Sequence, residues 1–267
     1  MAESAIETLL KRDRLIVAAS LASITVLAWA YLVRISTGMD MSDAAMSAMP
    51  GMPDMPGMDM SASAWSAKFF LLTLVMWAVM MAGMMTPSAA PMILLYARVA
   101  RQATLQGRPF ASAGWFAGGY LLGWMLFSLL ATIAQYFLDR AALLTPAMSL
   151  ASHRLGGLVF VIAGIYQWTP LKDSCLQQCR SPLSFIQQHG GFKPQIGKSL
   201  GLGLRHSLYC IGCCWALMAL LFAGGVMNLV WAAALAALVL IEKLAPVGRV
   251  FARISGIGAI AVGIWLL

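Results

Sequence analysis

Charge is scarce in this chain. Only 10% of its 267 residues are Asp, Glu, Lys or Arg, and the 10 acids are outnumbered by 18 bases. A soluble domain carries about 25% charged residues, so an ordinary water-facing surface is excluded. Histidine is scarcer still, at three. One of them, His206, falls in an apolar run, which is poor support for a bis-histidine haem. The sequence has no nucleophile elbow, phosphate loop, dinucleotide fingerprint or H-E-x-x-H. An enzymatic reading therefore has no motif to rest on. The net charge of +8 comes without a basic face or a nucleic-acid motif, which argues against a nucleic-acid partner.

Apolar residues are abundant, at 61% of the chain, and the mean hydropathy is +0.81. Seven spans can be drawn, at roughly 15–33, 68–96, 110–138, 155–170, 199–224, 228–245 and 251–267. A bilayer needs about 20 apolar residues per helix. The expected fold is all-α, a polytopic transmembrane bundle of about seven spans. Lys11, Arg12 and Arg14 precede the first run, and no small-x-small cleavage site follows it, so it reads as a retained helix. Pro87 and Pro91 are expected to kink the second span.

Placing the N-terminus in the cytoplasm leaves thirteen Lys and Arg inside and four outside, with Arg205 in the inner part of span five and able to snorkel inward. The expected location is the bacterial inner membrane, multi-pass, with the lipid bilayer as the first partner. Three parts follow: 1–34, the N-terminal segment and first helix; 35–67, a periplasmic Met-rich flexible loop; and 68–267, the core bundle.

The loop reads MDMSDAAMSAMPGMPDMPGMDM, with eight Met and four Asp from Met39 to Met60 and no Lys or Arg. It is too polar and too rich in Pro and Gly to pack a core. Thioethers are soft ligands, so the pattern suggests a collector of Cu(I). The alternative is a low-complexity linker that tolerates Met. Within span two, Met76, Met80 and Met84 recur every four residues and form one helical ridge, with Met81 and Met85 on the next. A thioether ladder of this kind could pass a soft ion along. Methionine also fills gaps in cores.

In span five, His206, Cys210 and Cys213 fall within about 60° of one another on a helical wheel, and Cys214 extends the stripe. An imidazole with two or three thiols makes a soft-metal set, with Cu(I) first and zinc as the alternative. Cys175 and Cys179 are four apart and share a face if their segment is helical. All five cysteines lie inside or within the membrane in this topology, where thiols stay reduced. Glu242 and Lys243, near the end of span six, are expected to pair with nearby groups or snorkel. Asn228 is expected to bond backbone at the start of a helix.

Three patterns together resemble a known family. They are W-x2-M-M-x2-M-M-x-P-x3-P at Trp77–Pro91, G-x-Y-Q-x-T-P-L-K-x2-C-L-x2-C-R-x-P at Gly164–Pro182, and H-x3-C-x2-C-C-W-x2-M at His206–Met218. Met227–Trp231 and Glu242-Lys243 fit too. The chain resembles the bacterial family of predicted metal-binding integral membrane proteins over about residues 65–245. The resemblance implies a multi-span protein with a metal site at His206, Cys210, Cys213, Cys214, Cys175 and Cys179, and it names no activity.

The expected function is binding of a soft metal, Cu(I) first, for uptake or delivery across the inner membrane. Two alternatives stay open: an assembly factor that loads copper into a membrane enzyme, and a structural or redox subunit of a membrane complex. A copper chaperone or a membrane enzyme would be the partner. Oligomerisation with itself or another chain is not decided by the sequence.

Overall fold

The computed structural model describes the backbone of residues 2–47, 65–107, 113–145, 148–191 and 195–267. The described residues form nine helices and no strand beyond an isolated bridge between Leu144 and Leu150. They are α1 (Ala2–Ser47), α2 (Ala67–Leu105), α3 (Ala113–Arg140), α4 (His153–Tyr166), α5 (Pro170–Arg180), α6 (Pro182–Gln188), α7 (Ile196–Gly224), α8 (Leu229–Leu244) and α9 (Gly248–Leu266). Helices α1, α2, α3, α4, α7, α8 and α9 overlap the seven stretches drawn from the sequence. Among the described residues, five segments are long and apolar enough to cross a membrane: Leu15–Gly38 of α1, and α2, α3, α7 and α9. Helices α4 and α8 are shorter, at 14 and 16 residues.

Local chemistry sets several boundaries. Ser66 accepts the Phe69 N–H at 3.2 Å and starts α2. Thr169 accepts from Lys172 N–H at 3.3 Å, with Pro170 in the first turn of α5, where its missing N–H is harmless. Asn228 accepts from Trp231 N–H at 3.1 Å and caps α8, as expected from sequence. Helix α2 runs on through Pro87 and Pro91. Helix α1 extends to Ser47 and so includes Met39, Met41 and Met46 of the Met-rich segment. Residues 48–64 of that segment lie outside the described residues.

Helix α7 is the hub, packed on α3, α4, α5 and α8. Its approach to α3 is backbone on backbone. A Cβ on Gly119 would strike the Leu200 carbonyl, and one on Gly203 would strike the Phe116 carbonyl. Helices α4 and α9 repeat the device at heptad spacing. A Cβ on Gly157 would sit 2.7 Å from the Gly263 carbonyl oxygen, and one on Gly164 would sit 2.6 Å from that of Gly256. Small residues let helices close this far where lipid gives no hydrophobic drive for helices to associate.

Helices α2 and α7 instead meet through long side chains. Trp77 and Phe222 stand 5.3 Å apart between ring centroids, and Tyr96 Oη lies 2.5 Å from Ser199 Oγ. The space between these two levels holds the site.

Candidate metal centre

His206, Cys210, Cys213 and Cys214 are all buried on α7. The stripe read from the helical wheel therefore faces the interior. Lys243 of α8 donates to Cys210 Sγ at 2.7 Å and to Ser88 Oγ of α2 at 3.2 Å. The hydroxyl of Tyr120, on α3, lies 3.2 Å from the same sulfur and donates to the Met85 carbonyl at 3.1 Å. Cys210 is thus the meeting point of four helices. A lysine ammonium has no lone pair, so the sulfur must present one.

The next two sulfurs are turned differently. Cys213 and Cys214 both donate to the Cys210 carbonyl, at 3.1 and 2.9 Å. Across from them lies α5, where Cys179 makes side-chain hydrogen bonds with Cys210 and Cys213. Those bonds hold its thiol well above the usual cysteine range, and burial adds to the effect. Cys175 rests on the bare backbone of Gly212, where an added Cβ would sit 2.8 Å from its sulfur. Burial pushes that thiol up as well, and the neighbouring Cys213 adds to the effect. The α5 helix does bring Cys175 and Cys179 to one face, as the spacing suggested.

Helix α5 is fastened at both ends. Lys172 forms a buried ion pair with Glu242 at 2.6 Å and donates to Gln167. Gln167 donates to the other Glu242 oxygen at 3.0 Å. Arg180 donates to the Ala245 and Pro246 carbonyls at 2.6 and 2.9 Å. Glu242 and Lys243 are 1% and 5% exposed, so both are held inside and neither snorkels.

Met76, Met80, Met81, Met84 and Met85 are all buried, on both ridges of α2. The stretch Met85–Ser88 touches the Cys210 environment through Tyr120 and Lys243. Near the other end, Gln135 accepts from Trp77 at 2.7 Å and donates to the Met148 sulfur at 3.3 Å. Met148 has a left-handed φ of 56°, unusual for a bulky residue, and no sequence pattern marks its place.

Among the described residues, no group of three or more His, Cys, Asp or Glu is set as ligands to one ion. The hydrogen bonds explain why: the Cys213 and Cys214 thiols are turned back onto their own helix. The donor chemistry still suits Cu(I), which favours thiolates and thioethers. The Nδ1 of His206 is buried with no hydrogen-bond partner. A buried nitrogen free to bind, on the same helix as Cys210, Cys213 and Cys214, fits the donor set of a soft cation.

Residues 74–266 match a family described as copper chaperone (PpoB2). The chain belongs to this family. No curated protein and no solved structure matches it. The region matched to the copper chaperone family includes every candidate ligand from Met76 to Cys214 and excludes the Met-rich segment. The metal-related resemblance seen in the sequence holds at that level, and the family description associates it with copper.

Sequence reasoning missed Tyr120, Ser88 and the role of Lys243. The last left a usable signal: a lysine in an apolar helix is expensive and calls for a partner.

Proposed function

We propose that this chain is a membrane-embedded copper chaperone that holds Cu(I) among Cys179, Cys210 and Cys213 and gives it to a partner membrane enzyme. His206, Cys214 and Cys175 complete the donor set around them. The observation that carries the reading is the meeting of Cys179 with Cys210 and Cys213 across two helices, with the unpartnered His206 nitrogen one turn away. To bind copper, Cys213 exchanges its bond to the Cys210 carbonyl for the ion, a side-chain rotation that leaves the backbone in place. Delivery is favoured over uptake by the family description.

Membrane embedding is supported by the five long apolar helices and by their outward faces. Leu27, Leu130, Leu208, Ile257 and Trp265 are among the large apolar residues left exposed. Such faces are unstable in water and ordinary in lipid. We take the N-terminus as cytoplasmic from the thirteen-to-four excess of inner Lys and Arg. All seven apolar helices then count as spans, with α4 and α8 completed by their flanking residues. Residues 1–34, 35–67 and 68–267 act as anchor, outer collector and metal-holding core.

The five buried methionines of α2 favour a second element, a thioether path from the outer end of the bundle to Cys210. Thioethers bind without losing a proton and thiols bind as thiolates, so affinity increases toward the cysteines.

The test is metal content by mass spectrometry on protein purified anaerobically in detergent. We expect about one copper per chain, retained when residues 39–60 are removed and lost in Cys210→Ser/Cys213→Ser. Unchanged copper in the cysteine variant would remove these residues from the mechanism. Flux of copper into liposomes without a partner would favour transport over delivery.

A further inference from the structure

Away from the sulfurs, where α2 ends and α7 begins, lies a polar cavity of about 260 Å³. Its lining includes Lys198 and Arg205 of α7, His189 after α6, and the hydroxyl-bearing Tyr96 and Ser199. No Asp or Glu lines it. Lys198, Gly201 and Arg205 recur at helical spacing on one side of α7, and all three are exposed. The two ion pairs among the described residues are Lys172–Glu242 and Arg253–Asp173, so neither cation has a carboxylate partner there.

Arg205 stands nine residues beyond Ile196, about 13 Å along the helix axis. A guanidinium that deep beside lipid demands an anion or a route to water. A water takes up about 30 Å³ of liquid, so the cavity exceeds what one small ion and a few waters fill. Guanidinium and ammonium groups beside hydroxyl donors form a phosphate-binding set, with Arg supplying two parallel N–H groups. Basic pockets between membrane helices hold lipid headgroups by the same chemistry.

We propose that this cavity binds a phosphate group, carried in the bilayer by an anionic phospholipid headgroup, with Arg205 and Lys198 as its principal contacts. The proposal rests on the membrane reading above and not on the copper site. A lipid fastened there would brace the start of α7, about four turns before Cys210.

The test uses the full chain in uncharged detergent, with native mass spectrometry after addition of phosphatidylglycerol or phosphatidylcholine. Thermal unfolding with inorganic phosphate forms a second arm. We expect one phosphatidylglycerol retained per chain, in preference to phosphatidylcholine. Retention should weaken roughly tenfold in Lys198→Gln/Arg205→Gln. Both positions are exposed, so helix content by circular dichroism should be unchanged. A thermal shift with inorganic phosphate, absent in the variant, would support the phosphate chemistry with a soluble source. Equal retention of both lipids, or equal retention by wild type and variant, would overturn the proposal. Copper content is measured on the same samples. In the wild type, copper without retained lipid sinks this proposal alone, and retained lipid without copper sinks the chaperone reading alone. A chain that stays dispersed without detergent would sink the membrane reading beneath both.

Discussion

Lys243 Nζ lies 2.7 Å from Cys210 Sγ, and both side chains are sealed from solvent. Two thiolates around one Cu(I) carry a net negative charge, which is costly in a low-dielectric interior unless it is balanced. With copper held as proposed, the Lys243 ammonium would supply the balance. Lys243→Gln keeps a donor and removes the charge, and should weaken Cu(I) affinity about tenfold or more, as read by competition with a chromophoric chelator. An unchanged affinity would make the lysine a packing element only.

The ion pair of Lys172 and Glu242 anchors the cysteine-bearing α5. Lys172→Met leaves Glu242 buried without its cation and should cost about 3–5 kcal/mol. Joining it with Glu242→Leu should recover most of that loss. Thermal unfolding of the two single variants and the double variant in detergent checks this through the coupling energy. Simple additivity would refute the pairing.

Gly118 and Gly119 form a matched pair. An added methyl meets nothing within 4 Å at Gly118 and meets the Leu200 carbonyl at Gly119. Gly118→Ala should be neutral or stabilising by about 0.5–1 kcal/mol. Gly119→Ala should destabilise by about 1–3 kcal/mol, since α3 and α7 must part. Similar unfolding midpoints for the two would mean that the close approach of α3 and α7 adds little.

Thiol protonation gives copper binding a pH dependence. Cys179 is held above the usual thiol range, so it is protonated at neutral pH in the metal-free protein. If it ligates as thiolate, it releases a proton, and affinity rises with pH at about tenfold per unit for that proton. The effect on folding runs the other way. A raised thiol pKa stabilises the folded state below the unfolded thiol's value, and that contribution is lost as pH climbs through the folded one. Affinity measured from pH 6 to 8 should show a shallower slope in Cys179→Ser. An identical slope would take Cys179 out of the ligand set.

The candidate site was partly legible before any coordinates. Spacing alone put His206, Cys210 and Cys213 on one stripe, and that stripe is buried. The four-residue recurrence of Met76, Met80 and Met84 likewise marked an inward ridge. Periodicity reports which residues share a face, but not which helix that face meets. The contacts of Lys243 and Tyr120 with Cys210 depend on α8 and α3 lying beside α7, and no local pattern encodes that. From sequence, Lys243 reads as a helix-end cation because it lies near the end of span six. The structure sends Glu242 and Lys243 to different partners. Met148 was hidden for a similar reason: its place depends on Gln135, thirteen residues earlier in the chain.

The glycine seam between α4 and α9 joins segments whose first residues are 95 positions apart, His153 and Gly248. With 14 residues, α4 spans only about 21 Å, short of the hydrocarbon thickness. During synthesis it must wait, flat glycine face unmatched, while α5 to α8 emerge from the ribosome. Helix α9 then brings the matching glycine face together with Arg249 and Arg253, which reach Gln177 and Asp173 of the cysteine-bearing α5, so closing the seam also clasps α5 from outside.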